Sequence, residues 1–82
     1  MSSEEYKIYC YCVEFHSELK RRFSMNETSI QLFRRLSKKL KCSQIQQVIQ
    51  DIELIKRRNG SVLNYFITLL YPIFNADHSK QP

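Results

Sequence analysis

Apolar residues recur along this chain at helical spacing. Ile8, Cys12, Phe15, Leu19 and Phe23 follow at intervals of four, three, four and four, which is one buried stripe of a helix over residues 3–23. Ser2 and Glu5 have capping-box spacing at its start, and Lys20, Arg21 and Arg22 fill the last turn, where cations are favoured. Asn26 is a good N-cap for a second helix over 27–40, with Met25 and Ile30 spaced as a hydrophobic staple and Ile30, Phe33, Leu36 and Leu40 facing inward. Ser43 and Gln46 form an S-x-x-Q box opening a third helix, whose stripe is Ile45, Val48, Ile49, Ile52 and Ile55. That helix ends in "KRRNG", cations followed by Asn59-Gly60 as a left-handed stop.

Residues 61–74, "SVLNYFITLLYPIF", admit two readings. One is a helix capped by Ser61 and bent or ended at Pro72. The other makes Asn59-Gly60 a hairpin tip between paired strands. Alternation over 62–71 is poor, because Phe66 and Ile67 are adjacent, as are Leu69 and Leu70, and this favours the helix. The fold expected is therefore all-α, a compact bundle of about four short helices, with a winged helix-turn-helix and small C-terminal hairpin as the alternative. One domain spans 1–76, followed by a frayed tail at 77–82. A helix apolar on every side must be covered on every side, and a second copy is the readiest cover. A homodimer is expected, with Leu63, Phe66, Ile67, Leu70 and Phe74 at its interface.

Composition sharpens the class. A single Gly and two Pro in 82 residues are too few turn formers for an all-β protein. The apolar run from Val62 to Phe74, interrupted by Asn64, Thr68 and Pro72, falls short of the roughly 18 apolar residues of a membrane span. Cys10, Cys12 and Cys42 cannot all pair within one chain, and the acidic, polar N-terminus does not resemble a secretory signal, so a reducing, cytoplasmic location is expected.

The net charge of +5 hides a segregation. Residues 1–19 are net acidic, whereas residues 20–58 hold eleven of the thirteen basic side chains against Glu27, Asp51 and Glu53. Arg34, Arg35, Lys38, Lys39 and Lys41 share the outer face of the second helix, where like charges at i and i+4 repel by about 0.2–0.5 kcal/mol per pair. The fold gains nothing from this, so an anionic partner is expected: nucleic acid, DNA ahead of RNA, or else an acidic protein surface. Arg21, Arg22, Arg57 and Arg58 are further candidate phosphate contacts. One continuous basic strip would favour nucleic acid; scattered cations around an apolar groove would favour a protein.

The stretch "LSKKLKCS" adds a resemblance. Leu36, Ser37, Leu40, Cys42 and Ser43 match the pattern of the second helix and turn of the helix-turn-helix family, so the segment resembles that motif over about 25 residues. The resemblance implies that the helix after Ser43 enters the major groove, with Gln44 and Gln47 meeting base edges and the lysines holding phosphates. On the strand reading of the C-terminal half, Arg57 and Arg58 would sit near the tip of a wing.

Other chemistry carries less. Cys12 and His16, at i and i+4, suggest a metal pair or a thiol and its base, but Cys10 and Cys12 point about 200° apart on a helix, and no C-x-x-C or H-x₃-H spacing exists. No metal and no cofactor is expected. With no oxyanion site, phosphate loop or orienting acid, the chain reads as non-enzymatic. The tyrosines, Tyr71 among them, are expected at the margin of the core, with stacking on unpaired bases a secondary possibility.

Overall fold

The computed structural model describes the backbone of residues 1–79 and the side chains of residues 1–75. Five helices follow in chain order: α1 (Ser3–Glu14), α2 (His16–Phe23), α3 (Ser29–Lys39), α4 (Cys42–Arg57) and α5 (Val62–Ser79). The all-α expectation holds. The hairpin alternative does not, because no strand occurs among the described residues. Asn59 takes the left-handed conformation (φ 54°) and the Gly60 N–H donates to the Ile55 carbonyl at 2.8 Å, which closes α4 and turns the chain into another helix. A Cβ on Gly60 would lie 3.0 Å from Ile55 Cγ2, so glycine is what lets the turn pack this closely.

The helix foreseen over 3–23 is two. Phe15 leaves helical geometry (φ −96°, ψ 5°) between α1 and α2, with neither Pro nor Gly nearby to cause it. The cause is tertiary. The Phe15 ring stacks on Tyr11 and meets Phe66, each at 5.8 Å between centroids, while His16 Nε2 donates to the Glu27 carbonyl at 2.8 Å. The stripe itself survives the break, with Ile8, Cys12 and Leu19 buried and Phe15 and Phe23 half-buried.

Two caps move. Thr28, not Asn26, caps α3, in a reciprocal box with Gln31. At α4 the Lys41 N–H donates to Gln44 Oε1 at 2.7 Å, so the cap lies two residues before Ser43. Ser61 caps α5 as its sequence indicates, accepting from the Asn64 N–H. α5 then continues through Pro72 to Ser79 instead of stopping there. The last part of the expected tail, residues 80–82, lies outside the described residues.

α1 organises the core. It packs most extensively on α3, with Tyr9 edge-on to Phe33 at 5.7 Å, and next on α4. Ser2 and Glu4 share a recess with Cys42 and Gln46, and Lys7 and Tyr11 share another with Ile49 and Lys56, so α1 and α4 run in parallel. α5 returns antiparallel along α4, where the Tyr65 hydroxyl donates to Asp51 Oδ2 at 2.9 Å. It also reaches α3, where the Arg35 guanidinium lies 4.3 Å over the Phe74 ring.

This packing corrects the interface expected on the last helix. Phe66 (0% exposed), Leu70 (1%) and Phe74 (7%) are buried within the single chain, covered by α1, α2, α3 and α4. They cannot also meet a second copy. Leu63 and Ile67 stay half-buried on the side facing α2.

The Tyr65–Asp51 bond invites a stability measurement. Burial first, and then the Asp51 carboxylate, push the Tyr65 hydroxyl well above its usual range. Its contribution is complete below about pH 10, the unfolded value, and is lost as pH rises beyond it. Tyr65→Phe is expected to lower stability by about 1 kcal/mol in urea unfolding at neutral pH, since Asp51 keeps its bond from Gln47.

Candidate nucleic-acid interface

Successive helical positions turn by about 100°, so the buried Leu32, Phe33 and Leu36 leave Arg34 and Lys38 on the outer face of α3. Arg35 and Lys39 lie next to them, on the side turned toward α5. Arg34, Lys38, Lys39 and Lys41 are exposed, and none of these four has an acidic partner among the described residues. The 34/38 repulsion is therefore unrelieved.

Arg35 differs from its neighbours. It is part-buried, paired with Glu27 Oε1 at 2.8 Å, and stacked on Phe74. Phe23 stacks on the same ring at 4.6 Å between centroids, so Arg35 takes the opposite face. Arg35 thus joins α3 to α5, and counting it as a phosphate contact overlooks that role. Arg22 lines a recess beside Phe74 from the α2 side. Arg21 pairs with Glu18 on the surface of α2, an exposed pair of little energetic weight.

The remaining candidates do not join this patch. Arg57 and Arg58 stand at the end of α4, and the helix of 16 residues that separates them from Lys41 is about 24 Å long. From Cys42 to Leu54 its exposed positions are polar, acidic or apolar and none is cationic; Lys56, also exposed, stands with Arg57 and Arg58. The cations thus fall into groups: the row on α3, Arg21 and Arg22 on α2, and Lys56, Arg57 and Arg58 at the end of α4.

The groove-reading arrangement is not formed. α3 and α4 are joined by only Leu40 and Lys41, both extended, and they make little contact beyond that joint. Each packs instead on α1, because the apolar stripes of both helices are consumed there. Gln44 is occupied capping α4, and Gln47 Nε2 donates to Asp51 Oδ1 at 2.9 Å. Neither amide stands ready to meet a base edge in the way a recognition helix requires.

The cysteines and His16 also separate. Burial pushes the Cys12 thiol up to about 12, so it stays protonated at neutral pH, while the His16 ring is turned to the Glu27 carbonyl. No group of three or more His, Cys, Asp or Glu side chains is placed to hold a metal among the described residues. No helix among them is long and apolar enough to cross a membrane.

One feature of this surface escaped the sequence. Tyr71, Asn75 and Phe74 of α5, Arg22 and Phe23 of α2, and Ser24 just after it line a single open recess of about 430 Å³. Tyr71 and Asn75 are i and i+4 neighbours only if the helix passes through Pro72. The Tyr–x₃–Asn spacing is the one signal present, and the proline hides it.

Fold and surface together define a small all-α domain with a segregated basic face. No protein family, curated protein or solved structure matches the chain.

Proposed function

We propose that this is a non-enzymatic binding domain that grips the phosphate backbone of a nucleic acid through the outer face of α3. The reading rests on one observation: Arg34, Lys38 and Lys39 are exposed side by side with no acidic partner among the described residues. Such a row costs folding energy in isolation, and counterion release from a polyanion more than repays it. Lys41 and Arg22 extend the contact. Sequence readout by Gln44 and Gln47 is not part of the proposal, which is for backbone binding.

The test is fluorescence anisotropy with labelled oligonucleotides at roughly 50 and 200 mM salt, comparing wild type with Lys38→Glu/Lys39→Glu. Binding should weaken steeply with salt, and the charge-reversed variant should lose most affinity at low salt. Removing two phosphate contacts should also lower the log–log salt slope by about 2. Both lysines are exposed, so circular dichroism should show an unchanged fold. No binding by folded wild type at low salt would overturn the proposal.

A second reading has its own support. Leu63 and Ile67 form a half-buried apolar row beside Arg21 and Arg22, and Arg57 and Arg58 stand apart from the main patch. This arrangement suits an acidic protein partner. A twofold dimer through Leu63 and Ile67 is the remnant of the larger interface, and it would bring the Arg21 and Arg22 pairs of two copies toward each other.

A further inference from the structure

We infer that the recess between α2 and α5 holds an unpaired nucleobase, and that the nucleic acid bound is therefore single-stranded. This rests on the phosphate-binding role of α3 and adds the class of ligand. The recess volume of about 430 Å³ falls within the roughly 300–1,000 Å³ of small-ligand sites. Its lining is of the kind a base needs: an aromatic face, amide and hydroxyl groups, and a cation.

Tyr71 supplies the open face. It is 55% exposed, whereas Phe23 is half-buried and Phe74 is 7% exposed with Arg35 and Phe23 on its two faces. Phe23 and Phe74 thus form the floor. Asn75 and Ser24 supply groups that donate to and accept from a base edge. Arg22 lines the same recess and has no acidic partner among the described residues.

The position matters as much as the lining. Arg35 packs on Phe74 from α3, so a residue that lines the recess also touches the helix that carries Arg34, Lys38 and Lys39. A strand whose phosphates follow that row can turn one base into the recess. Bases stacked inside a duplex cannot enter it, and the arrangement that would have read a duplex groove is not formed. Stacking on an open aromatic beside a basic track is how single strands are held without sequence preference.

The experiment compares a labelled single-stranded oligothymidylate of about twelve nucleotides with a duplex of the same length. The proteins are wild type, Tyr71→Ala, Tyr71→Phe and Lys38→Glu/Lys39→Glu. Tyr71→Ala should weaken single-strand binding roughly five- to hundredfold, and Tyr71→Phe should retain it. Duplex binding should be the weaker of the two and indifferent to Tyr71. The chain has no tryptophan, so Tyr71→Trp provides a unique fluorophore that the single strand should quench and the duplex should not. That reading also stands if Tyr71→Ala fails to fold.

The two ideas fail differently. If Tyr71→Ala binds the single strand like wild type, or the indole fluorescence of Tyr71→Trp does not move, while charge reversal abolishes binding, the base site falls and the phosphate grip stands. If folded wild type binds no oligonucleotide, both fall. Polyglutamate binding that depends on Tyr71, with no oligonucleotide bound, would assign the recess to an acidic protein and overturn the inference.

Discussion

Phe66→Ala is expected to lower the free energy of unfolding by about 3–5 kcal/mol, the range for truncating a buried aromatic. A domain of this length commands only about 4–12 kcal/mol in total, so the variant loses a large share of its stability and, from the lower end of that range, is partly unfolded at room temperature. The magnitude follows from the position. Phe66 is fully buried and meets Tyr11 and Phe15 at ring distances of 6.2 and 5.8 Å. The cavity would open where α1, α2 and α5 converge, at the break that redirects the first helical stripe. Urea unfolding followed by circular dichroism gives the number. Size-exclusion chromatography at matched concentration separates this outcome from its rival. At a twofold contact, Phe66 would be dispensable for the folded chain, and its loss would change only association. A folded but dissociated variant would therefore refute the packing described here.

Pro72→Ala has the opposite sign. Proline in a helix interior costs about 3 kcal/mol relative to alanine, because it lacks an N–H for the carbonyl four residues back, here that of Thr68, and its ring crowds that turn. Pro72 is exposed, so alanine forfeits no core contact. Against the gain stands the stiffness proline lends the unfolded chain, about 0.4–1 kcal/mol. Net stabilisation of about 2 kcal/mol is expected, a rise in Tm of about 4–8 °C for each kcal/mol in a domain this size. An unchanged or lowered Tm would mean that the helix does not run through Pro72. Tyr71 and Asn75 would then no longer share a face, and the recess they line with α2 would lose its geometry. This measurement thus bears on the candidate base site without any ligand.

Both predictions fall on α5, where local pattern was least informative. Apolar on nearly every side, it has no face that periodicity can assign to the core. Pattern alone therefore assigns five of its residues to an external interface, and three of these, Phe66, Leu70 and Phe74, are buried inside the chain. Leu32 and Met25 illustrate the same limit elsewhere. Both are buried, at 0% and 5% exposure, yet Leu32 lies beside the expected stripe of its helix and Met25 before it.

The surface divides in the same way. That α3 carries an unpaired basic row was legible from the spacing of Arg34, Lys38 and Lys39, because a helix side chain's direction relative to its own buried stripe is a local property. That Arg35 leaves the row was not. Its partners, Glu27 and Phe74, lie 8 and 39 positions away in the chain; the fold of the segment before α3 brings the first, and the packing of α3 against α5 brings the second. The helix-turn-helix resemblance failed for a related reason. Its pattern records which residues are apolar, and the same leucines and isoleucines serve equally well against α1 as against each other.

Local pattern was enough for helix as the main secondary structure, the caps at Ser2 and Ser61, the stripes at Ile8 to Phe23 and Ile45 to Ile52, and the basic row, all of which depend on residues close together along one helix. Tertiary packing was needed for the break at Phe15, the partners of α3 and α4, the burial of Phe66, Leu70 and Phe74, and the placing of Arg22 and Tyr71 around one recess. Each of these depends on which helix covers which, and apolar stripes of similar shape do not encode that choice locally; the close packing of the whole core makes it.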